Sequence, residues 1–311
     1  MKYQEFAGLK APASNIILGL MRIADSSDSE IRDLYRAARK SGINVIDHAN
    51  IYGRDHLCER RFAEAVPLSP AERAEIVIQT KAGIVTGENP HFDFSYEELV
   101  GEAEKSLRAL NTDYIDVFLL HRPDTLMEPE EVARAFDHLE SSGKVRAFGV
   151  SNQTPRQMEL LRQSVTQPLL FNQVQLSMTH CPIIAEGVAM NMLSSEQSVV
   201  RDGGGLLDYA RLTGTTLQAW SPFQKGFFDG AFLGDPDFAE LNEAIQRIAA
   251  RYSVTDTAIA VGWITRHPAN IQVVLGTTTP QRVRDSAAGS EIPLTRAEWY
   301  ELFRLAGHIV P

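Results

Sequence analysis

The stretch "GKVRAFGVSNQTPRQ", Gly143–Gln157, decides how this chain folds. Its strand-like part, Val145–Ser151, is mostly apolar instead of alternating with polar residues, as suits a strand covered on both faces. Just beyond it, Thr154-Pro155 sets a capping hydroxyl before a proline suited to the first helical position. A doubly covered strand that runs straight into a helix is half of a parallel crossover unit, because each right-handed crossover needs a helix.

The pattern repeats in both directions. Apolar or β-branched runs lie at Ile16–Leu20, Asn44–Asp47, Ile76–Lys81, Ile115–His121, Leu169–Gln175, Thr216–Ser221 and Ile271–Gly276, with helical segments between them. Ser27 with Glu30 and Ser95 with Glu98 have capping-box spacing, and Thr279-Pro280 repeats the threonine-proline start. Ile31, Leu34, Tyr35 and Ala38 recur at helical spacing, as do Leu99, Ala103, Leu107 and Leu110. No low-complexity tract, charge block or Pro/Ser linker divides the chain. Eight strands in one α/β domain spanning residues 1–311 predict a closed (β/α)₈ TIM barrel in place of an open doubly wound sheet. Helical material around Asp237–Arg251 and Thr295–Gly307 lies outside the eight units, the second as an additional C-terminal helix.

At 311 residues and 44% hydrophobic, the chain can bury a substantial core. A formal net charge of -10 argues against a nucleic-acid partner, and any anion site must be a local basic pocket. Cys58 and Cys181, far apart and without an export signal, read as reduced thiols of a cytoplasmic protein. No apolar run is long enough to span a membrane. No G-x-G-x-x-G follows the first strand and no G-x-x-x-x-G-K-[ST] occurs; Arg201–Gly205 reads as a turn before a helix. His48, His56 and Cys58 fit no common zinc spacing, so no metal is expected.

Active sites of such barrels lie at the C-terminal strand ends. Asp47, Lys81 and His121 close the second, third and fourth strands, and Tyr52 follows on the loop after the second. Singly these residues read as a cap, a snorkelling lysine, a structural histidine and a packed aromatic. Together on one rim they suit proton donation to a substrate oxygen. A buried Lys81 ammonium is expected to lower the pKa of the Tyr52 phenol, with Asp47 keeping that lysine charged. His121 would orient the substrate oxygen. Carbonyl reduction develops charge in this way, and since no side chain donates hydride it requires a nicotinamide. Ser151, Asn152 and Gln173 offer groups for a carboxamide, and Trp220 an indole face for the ring. Ser221, Pro222, Phe223, Lys225 and Gly226 form a loop suited to a pyrophosphate. Gly276, Thr277, Thr278 and Thr279 lead into a helix start, with Arg282 on its first turn as a phosphate fork.

The segments "DHANIYG", "QTKAG", "LLHRPD", "GKVRAFGVSN", "NQVQLS", "AWSPF" and "GTTTPQR", in this order over essentially the whole chain, resemble the aldo/keto reductase superfamily. The aspartate-histidine-alanine motif and the C-terminal "LTRAEWYELFRLAGHIVP" resemble a bacterial predicted-oxidoreductase branch. The resemblance implies Tyr52 as proton donor, Asp47 and Lys81 as its tuners, His121 as the orienting group, and the cofactor positions just named. Three departures stand out. His48 replaces a more usual threonine and is expected to alter the pocket wall, and Trp220 replaces a common tyrosine. Asp285-Ser286 stands where glutamate-asparagine is usual, so the grip on a 2′-phosphate rests on Arg282. NADP(H) is the implied cofactor ahead of NAD(H), with a small carbonyl compound as substrate. The other readings are a redox-sensing regulatory subunit that binds a nicotinamide and a Schiff-base enzyme using Lys81. The segment Gly83–Phe94 and the loop Phe223–Asp235, with Phe227, Phe228 and Phe232, are expected to shape the substrate pocket. The apolar stretch Thr179–Gln197 suits packing on the barrel or on a partner chain.

Overall fold

The computed structural model describes residues 1–189, 204–227 and 229–309. A hairpin of β1 (Tyr3–Gln4) and β2 (Ala13–Ser14) precedes β3 (Ile16–Gly19), β4 (Val45–Asp47) and β5 (Val77–Ala82). A second hairpin, β6 (Ile84–Val85) with β7 (His91–Phe92), follows β5. The chain then forms β8 (Ile115–Leu120), β9 (Val145–Ser151), β10 (Leu169–Gln175), β11 (Thr216–Trp220) and β12 (Gln272–Leu275). Strands β3, β4, β5, β8, β9, β10, β11 and β12 pair in parallel and close on themselves, with β12 joined to β3. All eight expected strands are present, and the barrel is the expected one.

Strand alternation sorts the barrel interior into layers. At the bottom, Ile17, Val45, Val77, Val117 and Phe171 form an apolar plug, sealed by Phe6 against Phe171 at 4.7 Å. Asn44 and Ser14 fasten the first hairpin there, Ser14 N donating to Asn44 Oδ1 at 2.9 Å. Two residues further along β5, β10 and β11 stand Gln79, Gln173 and Gln218, with Gln272 paired beside Gln218. Gln79 and Gln218 exchange amide hydrogen bonds at 2.9 and 3.0 Å, Gln218 donates to Gln272, and Gln272 donates to Ser14 O. Lys81, two residues past Gln79, opens the next layer at the mouth.

The helices start as their sequences dictate. Ser27 and Glu30 form a complete capping box ahead of the helix Asp28–Lys40, which buries Ile31, Leu34, Ala37 and Ala38. Thr154 does the same with Gln157 for the helix Pro155–Leu161. Thr279 departs from expectation: its side chain makes no cap bond to the helix Pro280–Ala287, and its N–H bonds Thr277 Oγ1 instead. Helices Ala239–Tyr252 and Arg296–Leu305 supply the extra material outside the eight units. Within the apolar stretch Thr179–Gln197, the helix Pro182–Val188 buries Ile183, Ile184 and Ala185; Met190 onward lies outside the described residues. Arg201–Gly203 are likewise outside them, while Gly205 starts the helix Leu206–Thr213. Among the described residues no helix is long and apolar enough to cross a membrane.

Candidate active site

Register brings the ionisable residues together. Asp47 pairs across the ladder with Gln79, so Lys81 stands two residues nearer the mouth on the same inward face. Lys81 Nζ lies 2.7 and 2.8 Å from the two Asp47 carboxylate oxygens, 2.7 Å from His48 O and 3.2 Å from Tyr52 Oη. Gln79 and Gln173 add amide donors to Asp47 Oδ1 at 2.6 and 3.0 Å. The loop carrying Tyr52 is anchored to the same strand, Asn50 N donating to Lys81 O at 3.0 Å. An ammonium only donates, so the Tyr52 oxygen accepts from Lys81 and its own O–H remains for another acceptor.

Burial pushes the Tyr52 phenol above its ordinary pKa, outweighing the pull of Lys81. The expected lowering is thereby corrected: desolvation of the phenolate exceeds the attraction of a lysine already neutralised by Asp47. The sign suits an acid, since a donor must carry its proton. Burial also works against the charge on Lys81, but Asp47 and Tyr52 more than offset it, so the ammonium is held. His121 follows the end of β8, its ring edge-on to Tyr52 with centroids 5.9 Å apart. Burial, with Lys81 and Arg122 nearby, drives its pKa well below the ordinary value and leaves a neutral imidazole. Its Nδ1 is buried without a partner among the described residues, which leaves Nε2 as the nitrogen facing the cleft.

Above these residues opens a cleft of about 750 Å³. Asp47, Tyr52, His121, Ser151, Asn152, Gln173, Trp220, Ser221, Pro222, Phe223, Gly276, Thr277 and Arg282 line it. Trp220 Nε1 donates to Asn152 Oδ1 at 3.1 Å, and Asn152 Nδ2 donates to Ser151 Oγ at 2.7 Å. Gln173 spends its amide hydrogens on Asp47 and Gln218. Lys81 is fully buried beneath the floor. Lys225, Gly226, Thr278 and Thr279 do not line the cleft; Lys225 Nζ is held by Asp235 at 2.6 Å and Asp237 at 3.8 Å.

His48 does not shape the wall as expected. It is fully buried, packs on Phe62 at 5.3 Å, and burial lowers its pKa to about 4. Ile84 and Phe227 line the cleft, Phe232 is core, and Phe228 lies outside the described residues. Arg22 and Arg122, which the sequence does not mark as site residues, also line the cleft, as does Ser286 of the expected adenosine segment. Arg22 Nη1 crosses to Gly276 O at 2.6 Å, and Arg122 lies 5.7 Å from the Trp220 ring. Ser286 Oγ is buried without a partner among the described residues beside Arg282 on the same helix, an orphan polar atom at the end expected to hold an adenosine. Ser151, Asn152 and Gln173, with the orphan Ser286 hydroxyl and the arginines Arg22 and Arg282 lining the same cleft, are groups that fit a nicotinamide dinucleotide.

A family model described as the aldo/keto reductase family matches residues 15–306. A 6-dehydroglucose reductase of Agrobacterium fabrum is 34% identical over 308 residues, covering 96% of this chain and 95% of its own. Oxidoreductase YdhF of Escherichia coli is 32% identical over 307 residues, with 96% and 95% covered. A solved glycerol dehydrogenase from Gluconobacter oxydans superposes with a TM-score of 0.78 at 23% identity, covering 99% of this chain and 96% of that one. These sequence and structural likenesses extend over the whole barrel.

Proposed function

The chain belongs to the aldo/keto reductase family, and from that premise we propose that it reduces aldehyde or ketone carbonyls with a nicotinamide cofactor, NADPH ahead of NADH. The observation that carries this reading is the buried ammonium of Lys81, shared between the Asp47 carboxylate and the Tyr52 phenol 3.2 Å away. Ser151, Asn152, Gln173 and Trp220 would surround the nicotinamide, which supplies hydride when bound. The Ser221–Phe223 turn would meet the pyrophosphate, and Gly276, Thr277, Arg282 and Ser286 the adenosine end. Arg22 and Arg282 at that end support the choice of NADPH, since guanidinium groups fork onto phosphate. Lys225 takes part only by leaving Asp235.

His121 Nε2–H orients the substrate oxygen, and Tyr52 delivers its proton there as negative charge grows. The phenolate left behind is stabilised by Lys81, whose charge Asp47 and two glutamine amides hold in place. Two buried free thiols, Cys58 and Cys181, fit a reducing cytoplasm, with one domain carrying all of these groups.

The test is Tyr52→Phe. Single-turnover oxidation of bound NADPH by a panel of small aldehydes should fall by about 10²–10⁴-fold in the variant. NADPH binding should persist in it, and NADH should bind more weakly to both forms. Near-normal turnover in the variant removes the assigned role, and an inert cofactor in the unaltered protein favours a redox sensor.

A further inference from the structure

We infer that the guanidinium of Arg122 forms an anion subsite beside the carbonyl position, so that the preferred substrates are short aldehydes carrying a carboxylate. This rests on the reading of Tyr52 and His121 given above. Arg122 follows His121 directly in the chain and lines the same cleft, half-buried. It has no hydrogen-bond acceptor and no acidic partner among the described residues; its guanidinium lies 5.7 Å from the Trp220 ring. Asp124, the acid nearest in sequence, is already taken, accepting from Phe94 N at 3.1 Å and Leu126 N at 2.8 Å. Asp47, the single acid lining the cleft among the described residues, is occupied by Lys81, Gln79 and Gln173.

A guanidinium drawn out of water without acceptors is costly, and a carboxylate presents two oxygens in the geometry of its fork. The surroundings strengthen the pairing. Ile51, Ile84 and Phe227 give the cleft apolar walls, and an ion pair against such walls is screened less than one in open water. Arg122 lines the cleft together with His121 and Tyr52, so a substrate whose oxygen meets those two residues can carry an anion to the guanidinium within the same cleft. A chain of net charge -10 that lines this cleft with Arg22, Arg122 and Arg282 has gathered positive charge against its own balance.

Succinic semialdehyde and butanal share a four-carbon chain and differ in the terminal carboxylate. The ratio of their kcat/KM values should favour the semialdehyde by about 10–100-fold, the worth of a hydrogen-bonded charge, chiefly through KM. Arg122→Met should bring the ratio near one. Arg122→Gln should do the same, because it keeps amide donors and loses the charge. Succinate, which is not reduced, should bind the intact protein in a calorimetric titration and bind both variants at least tenfold more weakly. A ratio near one in the unaltered protein overturns the inference, as does succinate binding indifferent to residue 122. So does a variant effect equal for D-glyceraldehyde and the semialdehyde, which would make Arg122 a hydroxyl donor. If no aldehyde is reduced but succinate binding depends on Arg122, the reductase reading fails and the anion subsite stands.

Discussion

His56 is a buried imidazole clamped between two carboxylates just behind the loop that carries Tyr52. Its Nδ1 lies 2.5 Å from Glu59 Oε2, and its Nε2 3.1 Å from Glu102 Oε2. Thr80 donates to Glu59, and Asn50 and Lys105 donate to Glu102, so strand β5, the loop and two helices meet at one charge cluster. Arg54, Asp55 and His56 all have positive φ, at 69, 40 and 59°, a run of left-handed backbone that needs such an anchor. Burial disfavours the charge on His56, but hydrogen bonds to Glu102 and Glu59 prevail and lift its pKa to about 9. The folded value exceeds the ordinary 6.5, so the stabilisation is whole below pH 6.5 and is lost as pH rises through about 9. Urea unfolding from pH 6 to pH 10 should show this loss at up to about 1.4 kcal/mol per pH unit. In His56→Gln the profile should be flatter over the same window, and parallel profiles would remove the cation from the account. Glu102 mirrors it: burial raises its pKa, but hydrogen bonds led by His56 bring it down to about 2, so its share disappears as pH falls from the ordinary 4.5 through that value.

At the scale of the strand, the polar chain inside the barrel explains why the Asp47 carboxylate stays put. Asp47 receives amides from β5 and β10, and those amides lean on Gln218, which in turn leans on Gln272. Gln218→Leu keeps the volume but strips partners from Gln79, Gln173 and Gln272 at once. Each buried polar group left bare costs about 1–3 kcal/mol, so chemical denaturation should register a loss of that size or larger. A change under about 0.5 kcal/mol, typical of surface sites, would mean the chain of amides carries no structural weight. The strands and the charged residues at their ends are legible because a near-continuous apolar run and a terminal charge are both visible in one dimension. The glutamine layer was written in the same runs, one residue in each of Ile76–Lys81, Leu169–Gln175, Thr216–Ser221 and Ile271–Gly276, yet only Gln173 was singled out. Its meaning depends on which residues share a level across strands, and that follows from register. Arg22 and Arg122 are illegible for a different reason: loop and helix-flank residues have no period that says where a side chain points. The phenol of Tyr52 was read with the wrong sign because sequence displays a neighbouring charge but not the depth of burial.

For the molecule as a whole, closure depends on the pairing of first and last barrel strands, β3 with β12, and the N-terminal segment is tied down beside that seam. The N-terminal ammonium meets Glu291 at 2.7 Å, and Ser290 and Asn15 exchange hydrogen bonds at 2.7 and 3.0 Å. The helix Asp256–Thr265, which leads into β12, is clasped by the added C-terminal helix Arg296–Leu305. Trp263 and Trp299 stack at 4.7 Å, 8° from parallel, with Phe303 stacked alongside. Each indole N–H donates to the other tryptophan's carbonyl oxygen, at 3.1 and 2.9 Å. Neither tryptophan lines the cleft. Trp299→Ala therefore removes a stacked, nearly buried ring and one of two reciprocal bonds while leaving the cleft-lining groups untouched. The expected cost is about 3–5 kcal/mol of stability, read as a lower urea midpoint. At temperatures where the variant remains folded, kcat/KM should stay within about twofold, a change of under half a kcal/mol in the barrier. A large fall in kcat/KM without loss of stability would mean that this clasp bears on the chemistry at the barrel mouth, and not on closure of the seam.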